Sequence, residues 1–135
     1  CRVGLEHVSG EPEQARIRFV AGNALRDPLP NNFDLITFKS MLHDWPEKDA
    51  KRFLRSACDS LIPGGTLLIF ERSRLQVRQE DLAYSQLPML LFFRSFRSAD
   101  FYQSYLQQLG FEEIHVRTVH LEMPFLFLTA RKPLS

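Results

Sequence analysis

The feature that most constrains the fold is a strand–helix–strand pattern between residues 33 and 71. Phe33–Lys39 (FDLITFK) is a short apolar run between turn signals, which predicts a buried strand. The next segment has apolar residues on one helical face, namely Ala50, Phe53, Leu54, Ala57, Cys58 and Leu61. Residues 63–65 (PGG) are expected to end this helix, and residues 66–71 (TLLIFE) predict a second buried strand. Because βαβ units are nearly always right-handed crossovers, the two strands should be parallel.

Shorter elements flank this unit on both sides. Residues 17–20 are a β-prone run, and residues 80–93 are expected to form a very apolar helix. A second amphipathic helix is predicted over residues 98–110, with Ser98 as its cap. Residues 114–120 and 125–130 predict two strands of an antiparallel hairpin. The chain is therefore expected to be an α/β protein whose mostly parallel sheet carries an antiparallel C-terminal hairpin.

Charge and cysteine content exclude several classes of function. The 135 residues carry 17 Lys+Arg against 16 Asp+Glu, and a net charge of +1 does not favour binding to nucleic acid or to an acidic membrane surface. Two cysteines, Cys1 and Cys58, cannot build a disulfide framework, and no cluster of ligands predicts a metal site. No apolar run approaches the ~18 residues of a membrane span, and no signal-like segment is found. We therefore expect a cytoplasmic protein.

Residues with acid–base chemistry follow both strands of the βαβ unit. His43 and Asp44 come shortly after Lys39, the last residue of the first strand, and Glu71 ends the second strand. The carboxyl ends of parallel strands meet at one edge of the sheet, where open α/β sheets bind ligands. His43 and Glu71 are therefore expected to approach each other. A carboxylate beside an imidazole fixes its tautomer and raises its basicity, so the pair is a candidate general base.

Each residue that could take part in a site, including Trp45 and Met89, also has a purely structural explanation. A single histidine after a strand is more often incidental than catalytic, and Glu71 suits an exposed strand end. Asp44 and Glu47 match the D-x-x-E pattern of a helix cap. Trp45 suits packing against the start of the helix, and Met89 suits a core position. The functional and the structural interpretations are both open on sequence alone.

Taken together, residues 33–71 resemble the S-adenosylmethionine-dependent O-methyltransferases of the caffeate and hydroxyindole type and their bacterial relatives that act on aromatic polyketides. The shared pattern is a strand ending in Lys, then L-H-D-W, an amphipathic helix, P-G-G and a strand ending in Glu. Weaker similarities lie at residues 18–23, 89–90, 97–98 and 109–111, so the resemblance covers residues 14–131. It implies part of a Rossmann-like class I methyltransferase fold.

The resemblance also implies a mechanism and a set of site residues. His43 would take the proton of the acceptor hydroxyl, Glu71 would orient His43, and Asp44 would line the acceptor pocket as a third catalytic residue. Asn23 and Lys39 would contact the cofactor S-adenosylmethionine, and Met89 and Trp45 the acceptor. The acceptor would be a small aromatic molecule. A phenol, with a pKa near ~10, is a poor nucleophile until a base such as imidazole, whose ordinary pKa is ~6.5, accepts its proton.

The sequence departs from the family's pattern at two positions and lacks one motif. Asn23 stands where the family has an acidic residue, and Phe96 where it has a second Glu beside the base. The glycine-rich cofactor motif is not among the 135 residues. Together with the start at Cys1 and the 12 Phe, this indicates the C-terminal portion of a methyltransferase catalytic domain, inactive alone. The intact protein would be a homodimer.

Two other interpretations remain open. The chain could be a catalytically inactive methyltransferase-like fragment that serves as an interaction or assembly module. It could also be another α/β enzyme, such as a hydrolase, that uses the same His–Glu edge, although no nucleophile motif is present.

Overall fold

A four-stranded sheet organises the chain, of which the computed structural model describes residues 1–73, 96–121 and 124–135. The strands are β1 (Phe33–Lys39), β2 (Leu61–Arg72), β3 (Glu112–His120) and β4 (Pro124–Arg131), in the order β1-β2-β4-β3. β1 and β2 are parallel, and β4 is antiparallel to both β2 and β3. Three of these four strands therefore run in the same direction. This confirms a mostly parallel α/β sheet with an antiparallel C-terminal hairpin.

Two helices cover one face of this sheet. The described helices are α1 (Arg2–His7), α2 (Glu47–Ser60) and α3 (Ala99–Gln108), with 3-10 helices at Gln14–Arg16 and Leu42–Asp44. α2 and α3 share one hydrophobic core with alternate residues of β2 and β4, including Phe53, Leu54, Leu67, Ile69, Tyr102, Leu106 and Leu128. Burial of this apolar face stabilises both helices, which are amphipathic.

Most of the predicted elements are confirmed. β1 has the predicted bounds, and the helix after it, the helix capped by Ser98 and the C-terminal hairpin are all present. The helix predicted at residues 80–93 lies outside the described residues. None of the described helices is long and apolar enough to cross a membrane.

The strand predicted at residues 17–20 is wrong. These residues follow the first 3-10 helix without regular structure, and the Ile17 and Val20 side chains are exposed. A strand exists only where its N–H and C=O groups pair with a neighbour. β1 is an edge strand of the described sheet and pairs with β2 alone, so residues 17–20 have no partner there.

The prediction that residues 63–65 end the first long helix is also wrong. α2 ends at Ser60, and residues 63–65 lie inside β2, where the register with β1 shifts. Gly64 has a φ of +76°, and a Cβ on Gly65 would lie 2.9 Å from the carbonyl oxygen of Ile62. The two glycines therefore allow a β-bulge, a feature that often requires a residue without a side chain.

Candidate active site

The candidate site is built on the turn that follows β1, at the carboxyl edge of the sheet. Ser40 leaves the strand with a left-handed backbone (φ +46°), and its N–H donates to the carbonyl oxygen of Phe70 at 2.8 Å. Such a φ is uncommon for a residue with a side chain and changes the direction of the chain. Leu42–Asp44 then form a 3-10 helix, with the Leu42 side chain fully buried.

Glu71, at the end of β2, is a buried carboxylate with three hydrogen-bond donors. Its side chain is 1% exposed. Oε1 accepts the backbone N–H groups of Met41 and Leu42, both at 2.7 Å, and Oε2 lies 2.7 Å from Nδ1 of His43. A buried carboxylate is unfavourable unless its oxygens are bonded, and these donors satisfy both of them. The expected proximity of His43 and Glu71 is confirmed.

The His43 ring is fixed on two sides. A carboxylate can only accept hydrogen bonds, so we assign a ring hydrogen to Nδ1, which donates to Glu71. The Phe96 ring packs edge-on against the imidazole, with a centroid separation of 5.0 Å and an interplanar angle of 66°. The His43 side chain is 11% exposed. The imidazole therefore has a defined orientation and limited access to solvent.

Asp44 lies beside the imidazole and does not cap α2, so its prediction as a helix cap is wrong. Its Oδ1 is 3.3 Å from Nε2 of His43, and its side chain is 66% exposed. The N-cap of α2 is Pro46, which makes no side-chain cap hydrogen bond, and Glu47 pairs with Lys51 instead. Asp44 ends the 3-10 helix two residues before this N-cap.

Arg97 belongs to the same cluster, and sequence reasoning missed this role. Its Nη1 donates to the carbonyl oxygen of Leu42 at 2.8 Å, and its Nη2 donates to that of Trp45 at 2.6 Å. The sequence signal was only an Arg–Ser pair before a helix, which does not reveal two backbone acceptors more than 50 residues earlier in the chain.

The side chains of the other predicted site residues that the structure describes make no described hydrogen bond to this cluster, although the Trp45 carbonyl accepts from Arg97. The Trp45 ring packs edge-on against Phe53 of α2, with a centroid separation of 5.3 Å, which is the packing role that the sequence left open. Lys39 is exposed at the last position of β1. Asn23 lies in a loop around a small cavity of about 140 Å³, and its Oδ1 accepts the N–H of Leu25. Met89 lies outside the described residues.

Within residues 1–73, 96–121 and 124–135, no three His, Cys, Asp or Glu side chains are grouped so that they could hold a metal ion. The cluster described above consists of one imidazole, two carboxylates and one guanidinium. It can accept a proton at Nε2 of His43 and stabilise the resulting positive charge.

Comparison with known proteins identifies the family. Residues 4–112 match the sequence profile of the O-methyltransferase domain. The chain belongs to this family. It is 32% identical over 131 residues to the 3-hydroxy-5-methyl-1-naphthoate 3-O-methyltransferase of Streptomyces sahachiroi, covering 92% of this chain. The expected resemblance to O-methyltransferases is therefore confirmed.

Solved structures of methyltransferases have the same fold. The apo form of the S-adenosylmethionine-dependent methyltransferase SibL matches with a TM-score of 0.78 at 18% identity, over 98% of this chain and 40% of that one. Human N-acetylserotonin methyltransferase in complex with S-adenosylmethionine matches with a TM-score of 0.68 at 23% identity, over 95% of this chain and 36% of that one. The match to the Streptomyces enzyme likewise covers 36% of the enzyme's length. The chain thus spans well under half of each of these relatives.

Proposed function

We propose that this chain is the C-terminal portion of a methyltransferase catalytic domain. The complete domain transfers a methyl group from S-adenosylmethionine to a phenolic hydroxyl of a small aromatic acceptor.

 As further parts of this proposal, the intact protein is a cytoplasmic homodimer that needs neither nucleic acid nor a membrane. Membership of the O-methyltransferase family and the short span of the chain relative to its relatives support the assignment to part of a methyltransferase domain.

One observation carries the proposal: the 2.7 Å contact between Nδ1 of His43 and Oε2 of the buried Glu71. This bond places a ring hydrogen on Nδ1, and we propose the neutral form of the imidazole, in which Nε2 has no hydrogen and can accept one. The position of the pair at the carboxyl edge of parallel strands is also where open α/β sheets bind their ligands.

In the proposed mechanism, His43 is the catalytic base. Bound S-adenosylmethionine supplies an electrophilic methyl group on a sulfonium sulfur. Nε2 of His43 accepts the hydroxyl proton as the acceptor oxygen becomes nucleophilic. The imidazole then becomes positively charged between two carboxylates, Glu71 at 2.7 Å from Nδ1 and Asp44 at 3.3 Å from Nε2, which stabilise this charge. Glu71 is a positioning residue, because it acts through His43.

The described residues fit the methyl donor only in part. Lys39 offers an exposed ammonium group at the edge of the sheet, and Asn23 offers a side-chain amide, although its oxygen already bonds Leu25 within the loop. No glycine-rich strand–turn–helix segment occurs in the sequence to approach the donor closely. We propose Lys39 and Asn23 as contacts of the donor, and Met89 and Trp45 as contacts of the acceptor, without assigning any of them a chemical step.

Two substitutions in the full-length protein test the function together. His43→Ala removes the base, so methyl transfer should fall by about a thousandfold or more. Glu71→Gln keeps the size of the side chain and an oxygen for the N–H groups of Met41 and Leu42. Its amide would donate to Nδ1, which moves the ring hydrogen to Nε2 and blocks the base. The corresponding Asp→Asn change in a serine-protease triad lowers kcat about 10⁴-fold by the same tautomer effect.

The readout is methyl transfer to a panel of phenols, with donor affinity measured separately by calorimetry. Donor affinity should change less than about threefold in both variants, because neither residue is assigned to the donor. The matched controls are His7→Ala and Glu113→Gln, which alter exposed residues and should leave turnover unchanged. Turnover that survives in His43→Ala removes His43 from the role of base.

A further inference from the structure

Arg97 contacts the backbone of the candidate site. It is the residue before Ser98, the N-cap of α3. Its two terminal nitrogens donate to the carbonyl oxygens of Leu42 and Trp45, at 2.8 and 2.6 Å. These two carbonyls stand on either side of the His43–Asp44 pair in the chain. One guanidinium group therefore spans the two residues that bear the site's acid–base groups.

Glu71 binds the same turn, but as a hydrogen-bond acceptor where Arg97 is a donor. Its Oε1 accepts the N–H groups of Met41 and Leu42, whereas Arg97 donates to the carbonyl of Leu42. The backbone N–H and C=O of Leu42 are thus bonded to two charged side chains, and its own side chain is fully buried. Because Glu71 belongs to β2 and Arg97 adjoins α3, two separate elements fix the position of this turn.

The chemistry of the contact favours arginine over lysine. A guanidinium presents several N–H donors in a rigid planar fork, so it can bond two acceptors at once, whereas an ammonium is a single point on a flexible stem. The Arg97 guanidinium also lies over the Phe101 ring, with its Cζ atom 5.2 Å from the ring centroid. This stacking limits the freedom of the side chain and keeps its donors towards the turn.

We propose that Arg97 is a positioning residue for methyl transfer, which acts through the backbone of the turn on His43 and Asp44. This inference rests on the proposed function for its kinetic consequence. Loss of the two bonds leaves the Leu42 carbonyl with only the N–H of Trp45, at 3.3 Å, and removes the arginine from the Trp45 carbonyl. The turn then relaxes, and Nε2 of His43 no longer meets the acceptor hydroxyl in a productive geometry. A displacement on the order of 1 Å at a reacting group costs about a hundredfold in rate.

The kinetic test compares Arg97→Ala and Arg97→Lys in the full-length protein. We expect kcat to fall about a hundredfold in Arg97→Ala, with the KM for the methyl donor changed less than about threefold. Arg97→Lys keeps the charge and one donor group, so it should retain about a tenth of the activity. It also serves as a second variant in case Arg97→Ala does not fold. The matched control is Lys51→Ala, because the Lys51 ammonium lies over the same Phe101 ring at 5.6 Å but makes no described bond to the turn. It should keep wild-type kcat.

A spectroscopic arm separates this inference from the proposed function. The hydrogen between Nδ1 of His43 and Glu71 should give a strongly deshielded proton resonance, identified by its absence in His43→Ala. We expect this resonance in the wild type and in Lys51→Ala, and its loss or broadening in Arg97→Ala, whether or not the protein methylates any phenol tested. Wild-type protein without methyl transfer but with this pattern contradicts the proposed function alone. An unchanged resonance and unchanged kcat in folded Arg97→Ala overturn the positioning role.

Discussion

A buried phenol lies close to the charged groups of the site. Tyr102 of α3 is fully buried, and this burial, with a further contribution from the negative charge of Glu71, raises the pKa of its hydroxyl to about 12. The positive charge of Arg97 and its hydrogen bonding oppose the increase but do not cancel it. The neutral phenol is therefore the form that the folded protein favours.

This residue should make stability fall with pH above the ordinary tyrosine range. The pKa in the folded protein is higher than the value of 10.0 for an unperturbed tyrosine, so the stabilisation is complete below about pH 10 and is lost as the pH rises to about 12. The loss amounts to at most about 3 kcal/mol of unfolding free energy. Urea unfolding at a series of pH values should show a steeper loss in the wild type than in Tyr102→Phe. Equal losses in the two proteins would contradict the prediction.

At the scale of single residues, the sequence predicts the pair at the centre of the site but not its surroundings. His43 and Glu71 could be paired because each lies at the carboxyl end of a parallel strand, and parallel strands bring these ends together. The contact of Arg97 with the turn could not be predicted, because it joins a side chain to backbone carbonyls, and such a contact leaves no pattern of residue types in the sequence. Of the two interpretations of Asp44 that the sequence left open, the cap is wrong, because the local D-x-x-E pattern does not reveal that Pro46 is the N-cap.

At the scale of elements, α3 depends on its cap for a defined start. The Ser98 hydroxyl accepts the N–H of Phe101 at 3.3 Å, which satisfies one of the N–H groups left free at the start of a helix. Ser98→Ala should lower the free energy of unfolding by about 1 kcal/mol, measured by urea denaturation. Ser104→Ala is the matched control, because Ser104 is exposed inside the same helix and alanine is the better helix former there. A loss of equal size in both variants would argue against the cap.

The predicted elements succeeded where local pattern and long-range pairing agree. The bounds of β1 follow from an apolar run flanked by turn residues, and α2 from its one-sided apolar face. Residues 17–20 have the composition of a strand, but pairing with another strand is not encoded within four residues. Residues 63–65 have the composition of a helix end, yet the chain is already extended at Leu61, and the glycines relieve crowding in β2.

At the scale of the whole molecule, the proposed function makes the described residues one part of a larger binding site. It supplies the carboxyl edge of β1 and β2 with the proposed base, but its sequence contains no glycine-rich segment to hold a nucleotide-like ligand. The isolated 135-residue chain should therefore bind S-adenosylmethionine weakly or not at all in calorimetry. The full-length protein under the same conditions is the positive control. Micromolar binding by the isolated chain would show that the described residues suffice.

The bonds from Glu71 to the turn also couple local unfolding of the turn to that of the end of β2. The amide hydrogens of Met41 and Leu42 end on a carboxylate that is 1% exposed, so water cannot replace their acceptor unless the end of β2 leaves the core. The turn and the sheet edge therefore belong to one cooperative unit of local unfolding. His43 is then expected to lose its alignment whenever the edge frays, so the stability of the strand pairing contributes to the fraction of time for which the base is in place.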